Sequence, residues 1–403
     1  MLISYTIYAF FFAQNIDSIG NALLLGMSLF SLITLYYSRT SWPFLKSGIN
    51  VFTIIFGLAL ITTIIPLWTH GHSDWAFSSA CKFVLCLFIV SNFATPESQK
   101  HNLFQKTTFG SCIGLSLLMI VQNSGFEIKE ILSSSGIHTV NSDWNEKYHA
   151  FWLMFLAWIA ISNTWKNDTR SKLLTTQLLI YASIAIFSSH SQSSQFALIL
   201  AIIIFFISKF SMKGIWKFGV IAFIAYILLF PVLWQLFPFS QFEWIPERLY
   251  IRFLLFETAS NGILDQWFCG HGFGSTLTLP IAPYLPESTS PTDNTLASLA
   301  NGYNGLFPGA HPHNLIALIW LDFGLIGAML FTFFIYRFYR WLLPIMNDRD
   351  IAPFIIALIV SAVVIFSFSF SIWQTDVVLT YAMFFACLMS VLSKNHKLLW
   401  PST

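Results

Sequence analysis

The amino-acid sequence predicts an all-α fold. It reads as a polytopic integral membrane protein of about twelve transmembrane helices, with a large polar loop that contains an amphipathic helix. Three observations predict this. The 403 residues are 56% hydrophobic and 9% charged, with 43 Phe, whereas a soluble chain carries roughly 25% charged residues. Apolar runs long enough to cross a bilayer recur along the whole chain. The Lys and Arg residues gather on alternate connections between those runs.

The elements follow in order. The first apolar run, 2–13, is short and would have to tilt or thin the bilayer locally. No basic segment precedes it, so no cleavable leader is expected. Runs at 21–37, 47–68, 75–93 and 106–122 come next, before a polar interruption at 123–146. They resume at 147–165, 173–189, 193–210 and 215–237. A polar stretch fills 238–310, and the last runs are 312–338, 351–370 and 377–392. The expected organisation is therefore nine spans in 1–237, an outer loop in 238–310 and three more spans in 311–403.

Charge orients these elements. Of the 20 Lys and Arg residues, 15 fall on alternate connections and at the C-terminus, from Arg39 and Lys46 to Lys394 and Lys397. The positive-inside rule makes that side cytoplasmic, so both long polar segments face outward, to the periplasm of a Gram-negative cell. The formal net charge of +2 gives no bulk basic signal for nucleic acid. Five cysteines without paired spacing give no disulfide framework. No Gly-x-Ser-x-Gly elbow and no P-loop occurs.

Within the outer loop, 246–267 has helical periodicity. Leu249, Phe253 and Phe256 form an apolar stripe, and Arg248 and Arg252 stand one turn apart. The loop carries six acids and these two bases, so arginines retained there are candidates for anion binding. Arg248 also reads as a solvated or snorkelling face. Lys82 lies inside an expected span, where ionisable groups usually line cavities. Snorkelling to the outer interface is its other reading. Gln192 and Gln195, at a short turn rich in serine, offer hydrogen bonds to phosphate or sugar, or else cap a helix.

The final motif is His311-Pro312-His313-Asn314, then nine residues, then Gly324-Leu325-Ile326-Gly327. Pro312 suits a first helical turn. On an unbroken helix Gly324 and Gly327 fall about 20° and 40° either side of His313. That would place an imidazole at a helix mouth and, three turns deeper, a notch for close approach of a second helix. The two His-x-His pairs, His70 with His72 and His311 with His313, have generic spacing, so neither a metal nor another cofactor is expected.

This motif resembles the His-Asn, nine residues, Gly-x-x-Gly signature of the bacterial O-antigen ligase family. Arg252-x-x-x-Phe256 followed by Gly270-His271-Gly272 is similar to that family's Arg-x-x-x-Trp and Gly-x-Gly turn, with Phe256 where Trp is usual. Many relatives carry a cation near the position of Gln192, which this chain lacks. The resemblance implies glycosyl transfer from undecaprenyl-pyrophosphate-linked glycan to lipid A–core, at the periplasmic face of the inner membrane. In that scheme Arg252 takes up charge on the pyrophosphate and His313 serves as base. Arg248, Asn314, Gln192, Gln195, Lys82 and His311 would bind substrate. Grooves between the helices would hold lipid tails. An O-antigen polymerase and a transporter without catalysis are the alternatives, the second opposed by the absence of recognisable broken helices.

Overall fold

The computed structural model describes residues 142–164, 169–189, 191–237, 247–272 and 312–368, with scattered positions in 110–120 and Leu279 and Tyr284 besides. Among the described residues every regular element is helical. In chain order these are α1 (Ser142–Thr164), α2 (Thr169–Ser188), α3 (Gln192–Ser208), α4 (Met212–Leu236), α5 (Glu247–Asp265), α6 (Leu315–Leu342), a short 3₁₀ turn (Ile345–Asn347) and α7 (Ala352–Phe368). Six of the seven α-helices occupy stretches that hydropathy marks as apolar runs, and α5 occupies the amphipathic one. Within α2, α4 and α6, the stretches Ser171–Ser188, Met212–Leu236 and Leu315–Leu342 are long and apolar enough to cross a membrane. The expected spans at 147–165, 193–210 and 351–370 coincide with α1, α3 and α7, whose apolar stretches Leu153–Ser162, Gln192–Ser208 and Ala352–Phe368 are shorter. The other expected spans lie wholly or mostly outside the described residues.

Two hydrophobic cores organise the helices. In the first, α7 is packed between α1 and α3, with Phe205 against Phe354 (4.9 Å between ring centroids) and the Trp158 indole donating to Ser361 Oγ at 3.1 Å. In the second, Phe230 and Trp234 of α4 meet Phe256 of α5, beside Ile316, Ala317 and Trp320 of α6. Large apolar side chains on the outer faces of α3, α4 and α6, such as Phe196, Phe218 and Phe333, are exposed, as a lipid-facing surface requires.

The sequence gives no reason to break α6, but the structure breaks it at Gly324. That residue has φ 59° and ψ −150°, a region open essentially to glycine alone. The expected stripe from His313 through Gly324 to Gly327 is therefore corrected, because the 100° rotation per residue stops at the break. An unbroken helix would pair Leu325 N–H with Leu321 C=O and Ile326 N–H with Asp322 C=O. Instead a turn at 267–272 is spliced between them. The Leu325 and Ile326 amides donate to the carbonyls of Trp267 (2.8 Å) and Phe268 (3.4 Å). The His271 and Gly272 amides donate to the carbonyls of Leu321 (2.7 Å) and Asp322 (3.0 Å). Two intrahelical bonds are exchanged for four bonds to the turn, so the groups of both lost bonds are paired again.

The splice needs two glycines. A Cβ on Gly270, itself at φ 70°, would lie 2.6 Å from backbone atoms of Asp322, Phe323 and Gly324. A Cβ on Gly324 would lie 2.6 Å from backbone atoms of Phe268 and Gly270. The close approach at Gly324 is thus to this turn, not to a second membrane helix. Gly327 gives room within α6, since a Cβ there would collide with Phe323 Cβ and lie 3.2 Å from Ile319 O.

The break also redirects the first half of α6. Trp216 stacks on Tyr339 at 5.9 Å, and Asn314 Nδ2 donates to the Tyr226 hydroxyl at 3.2 Å. Ten residues of α4 rise about 15 Å between those contacts, where a straight helix from 314 to 339 would rise about 37 Å. Side chains cannot absorb that difference, so Leu315–Phe323 lies across α4 instead of running alongside it. A second helix defect fastens the crossing. Pro231 inside α4 has no N–H for the carbonyl of Ile227, and the Trp320 indole donates to that carbonyl at 2.7 Å.

Gly324→Ala and Gly270→Ala should each lower stability by about 2–4 kcal/mol, from the strained φ and the backbone clash. Both act on one contact, so the double variant should lose little more than either single variant. Thermal midpoints of the purified proteins in detergent check this; strictly additive losses would mean that the glycines act separately.

Candidate active site

The site is built where α4, α5 and the start of α6 meet. Helix α6 begins at Leu315, with Asn314 as its N-cap: Asn314 Oδ1 accepts from the amides of Ile316 (2.8 Å) and Ala317 (3.0 Å). Pro312, expected in the first helical turn, lies two residues ahead of that cap. The shift follows from capping, because Asn314 satisfies orphan amides that proline would leave unpaired. Asn314 is buried and its amide is used at both ends, since its Nδ2 bonds Tyr226.

His313 is half-buried and has φ 54°, the one positive φ at a non-glycine residue among those described. Left-handed backbone at a residue other than glycine costs roughly 1–2 kcal/mol, and such strain gathers at functional sites. The imidazole is therefore placed by a constrained turn rather than by a helical face.

Arg252 sits on α5 one turn before Phe256. Its Nη1 is buried and makes no hydrogen bond among the described residues. Burial pulls the guanidinium below its ordinary range, yet arginine keeps its charge in proteins. A charged donor held this way favours an anion. Phe253 and Phe256, beside Arg252, pack on Trp234 at 5.4 and 5.0 Å, which fixes the helix face. The usual Trp of the resemblance is thus replaced by a fully buried phenyl ring that does the packing.

Other expected residues fall as follows. Gln192 is exposed at the first turn of α3. Gln195 is half-buried and donates to the carbonyls of Ser189 (2.7 Å) and Phe187 (3.3 Å), so it caps the end of α2. Phe368 touches Phe196 at 6.4 Å and Phe256 at 6.2 Å, joining this end of α3 to the Arg252 side of α5. Arg248 lies in the first turn of α5. Lys82 and His311 lie outside the described residues. Sequence reasoning missed Tyr226 and Trp320, whose single available signal was aromatic residues amid aliphatic runs.

The fold and this site define a helical membrane protein with a buried arginine donor and a strained histidine–asparagine corner. Residues 177–332 match the family model described as O-antigen ligase. It is also similar to two proteins provisionally named polysaccharide ligases. One, from Rickettsia conorii, is 25% identical over 337 residues, covering 77% of this chain and 76% of the relative. The other, from Rickettsia felis, is 25% identical over 293 residues, covering 71% and 67%. The matched region runs from α2 into α6 and contains Arg252, the spliced turn and His313. These likenesses, together with the apolar helices, relate the chain to polysaccharide ligases and polymerases.

Asn314→Ala should cost about 1–2 kcal/mol through loss of the cap. Asn314→Asp should retain most stability, because a carboxylate still accepts the two amides and accepts from the Tyr226 hydroxyl. Tyr226→Phe should cost about 1–3 kcal/mol by stranding Nδ2. Chemical denaturation in detergent compares the three; equal losses for Ala and Asp at 314 would refute the capping role.

Proposed function

We propose that this chain is a metal-independent glycosyltransferase of the O-antigen ligase type. It moves a polysaccharide from undecaprenyl pyrophosphate to lipid A–core, completing lipopolysaccharide at the periplasmic face of the inner membrane. The observation that carries this reading is the buried Arg252 Nη1, without a hydrogen-bond partner among the described residues, on the helix tied by the spliced turn to the His313 half-helix. In the reaction the bond from the sugar's anomeric carbon to the pyrophosphate breaks, and a bond to an acceptor hydroxyl oxygen forms. Arg252 takes up charge developing on the leaving pyrophosphate. His313 receives the acceptor's proton. Asn314, through its cap and Tyr226, holds the histidine turn in place. Gln192, Gln195, Arg248, Lys82 and His311 belong to the substrate-binding surround in this reading. Twelve spans, with 238–310 as the outer loop between spans 1–237 and 311–403, would present the site to the periplasm.

A polymerase would use the same donor and site with a second lipid-linked repeat as acceptor. A broken helix in α6 is the feature that favours transport. Transporters, however, use the freed groups of a broken helix to bind substrate and ions. Here the turn at 267–272 occupies them, which favours catalysis.

His313→Ala should lower turnover by about 10²–10⁴-fold while donor binding persists. Activity of the native protein should fall on the acid side as the imidazole takes up a proton. Purified protein, lipid-linked glycan and rough lipopolysaccharide provide the assay. Near-normal turnover with a flat pH profile in His313→Gln would remove the base role. Product formed only on a second lipid-linked repeat would identify a polymerase.

In the same assay Arg252→Lys should lose much of the activity and Arg252→Ala more, at unchanged protein level, because a point charge does not replace a bidentate fork. Full activity in Arg252→Ala would remove the arginine from the reaction.

A further inference from the structure

The turn that follows α5 presents two large aromatic side chains to the surface. Trp267 is 53% exposed and Phe268 is 52% exposed, and their rings meet edge to face at 5.5 Å. Their backbone is held, since both carbonyls accept amides of the broken α6. The pair therefore stands on a rigid support rather than on a loose loop. Polar groups border it. Asp265, exposed two residues earlier, accepts the Tyr284 hydroxyl on Oδ2 at 3.2 Å. Asn261, one turn back on α5, donates to the Tyr284 carbonyl at 2.7 Å and accepts from Gln235 at the end of α4. Burial, and then the neighbouring Asp265 carboxylate, hold the Tyr284 phenol above its ordinary range, so it remains a donor.

Charge decides what this surface takes. The sequence has no Lys or Arg between Arg252 and Arg337. A phosphate, whether on a lipid headgroup or free, would find the Asp265 carboxylate and no cation from this stretch of chain. A sugar ring suits the surface better. Its C–H face can lie on an indole, and its hydroxyls can bond a carboxylate and carboxamides. We propose that Trp267, with Phe268 and Asp265, forms a glycan-binding subsite that holds a sugar unit away from the reacting carbon. This rests on the reading of the chain as a glycan transferase, and it adds a contact for the saccharide to those for the pyrophosphate and the acceptor proton.

The test uses full-length protein in nanodiscs, titrated calorimetrically with lipid-free polysaccharide released from the host envelope and, separately, with lipid-free core oligosaccharide. The native protein should bind one of them. Affinity for the polysaccharide would place the subsite on the donor side, and affinity for the core oligosaccharide on the acceptor side. Trp267→Leu should weaken that binding about three- to tenfold, the size of one aromatic contact. Trp267→Phe should restore most of it. Leucine keeps the apolar area but not the flat ring, so an aromatic anchor in the lipid interface would leave glycan affinity unchanged in Trp267→Leu. That outcome, or no binding of either glycan by the native protein, overturns the subsite. Transfer by the native protein is scored separately, so the subsite can fail while the transferase reading stands.

Discussion

The site depends on two hydrogen bonds that α6 does not make. Leu321 and Asp322 would ordinarily pair with Leu325 and Ile326, and the break at Gly324 separates them. In an apolar surrounding each unpaired backbone group would cost several kcal/mol. The break can persist only because something fills it, and the filler is the turn at the end of α5. That exchange ties the helix carrying Arg252 to the half-helix that starts at His313 and Asn314. Neither can shift without breaking four backbone bonds. The two glycines follow from the same constraint, since one turn must enter a helix with no room for a Cβ on either side.

The positions of the helices were legible in the sequence. Hydropathy places α1 to α4, α6 and α7 within a few residues, because a long apolar run in a charge-poor chain has few other meanings. The break was not legible. A Gly-x-x-Gly pair at helical spacing reads equally as a packing notch, and rotation arithmetic assumes a continuous backbone through Gly324. Arg252 could be singled out because cations are scarce in its loop. A helix start near Pro312 was legible, but Asn314 is the N-cap and leaves Pro312 outside the helix. Tyr226 and Trp320 offered only the weak signal of an aromatic residue in an aliphatic run. An aromatic residue within a span is usually packing, and only the crossing of α6 over α4 brings these two onto Asn314 and the Ile227 carbonyl.

That crossing changes where the histidine sits. A continuous α6 would hold His313 at the mouth of a span, level with the end of α4. The contact of Asn314 with Tyr226 places the corner near the middle of the 25-residue α4 instead. Two helix defects cooperate there. Pro231 exposes a carbonyl on α4, and the break in α6 turns Trp320 towards it. Each defect alone would leave a polar group unsatisfied; together they lock the crossing.

The same economy explains the strained backbone at His313. Proline fixes its own φ just before it. Just after it, Asn314 is held extended at φ −146°, ψ 121° by its two cap bonds. The chain must turn between these fixed residues, and His313 takes up the turn in the left-handed region. The cap returns about 1 kcal/mol, of the same order as the strain at His313, so the corner can persist at little net cost. Its backbone geometry is set before any substrate arrives, which is what orientation effects in catalysis require. Arg252 is prepared in the complementary sense. The packing of α5 on Trp234 places it, and its buried Nη1 makes no hydrogen bond among the described residues. One residue is held by bonds already made, the other keeps a donor unpaired among the described residues, and the spliced turn joins the elements that carry them.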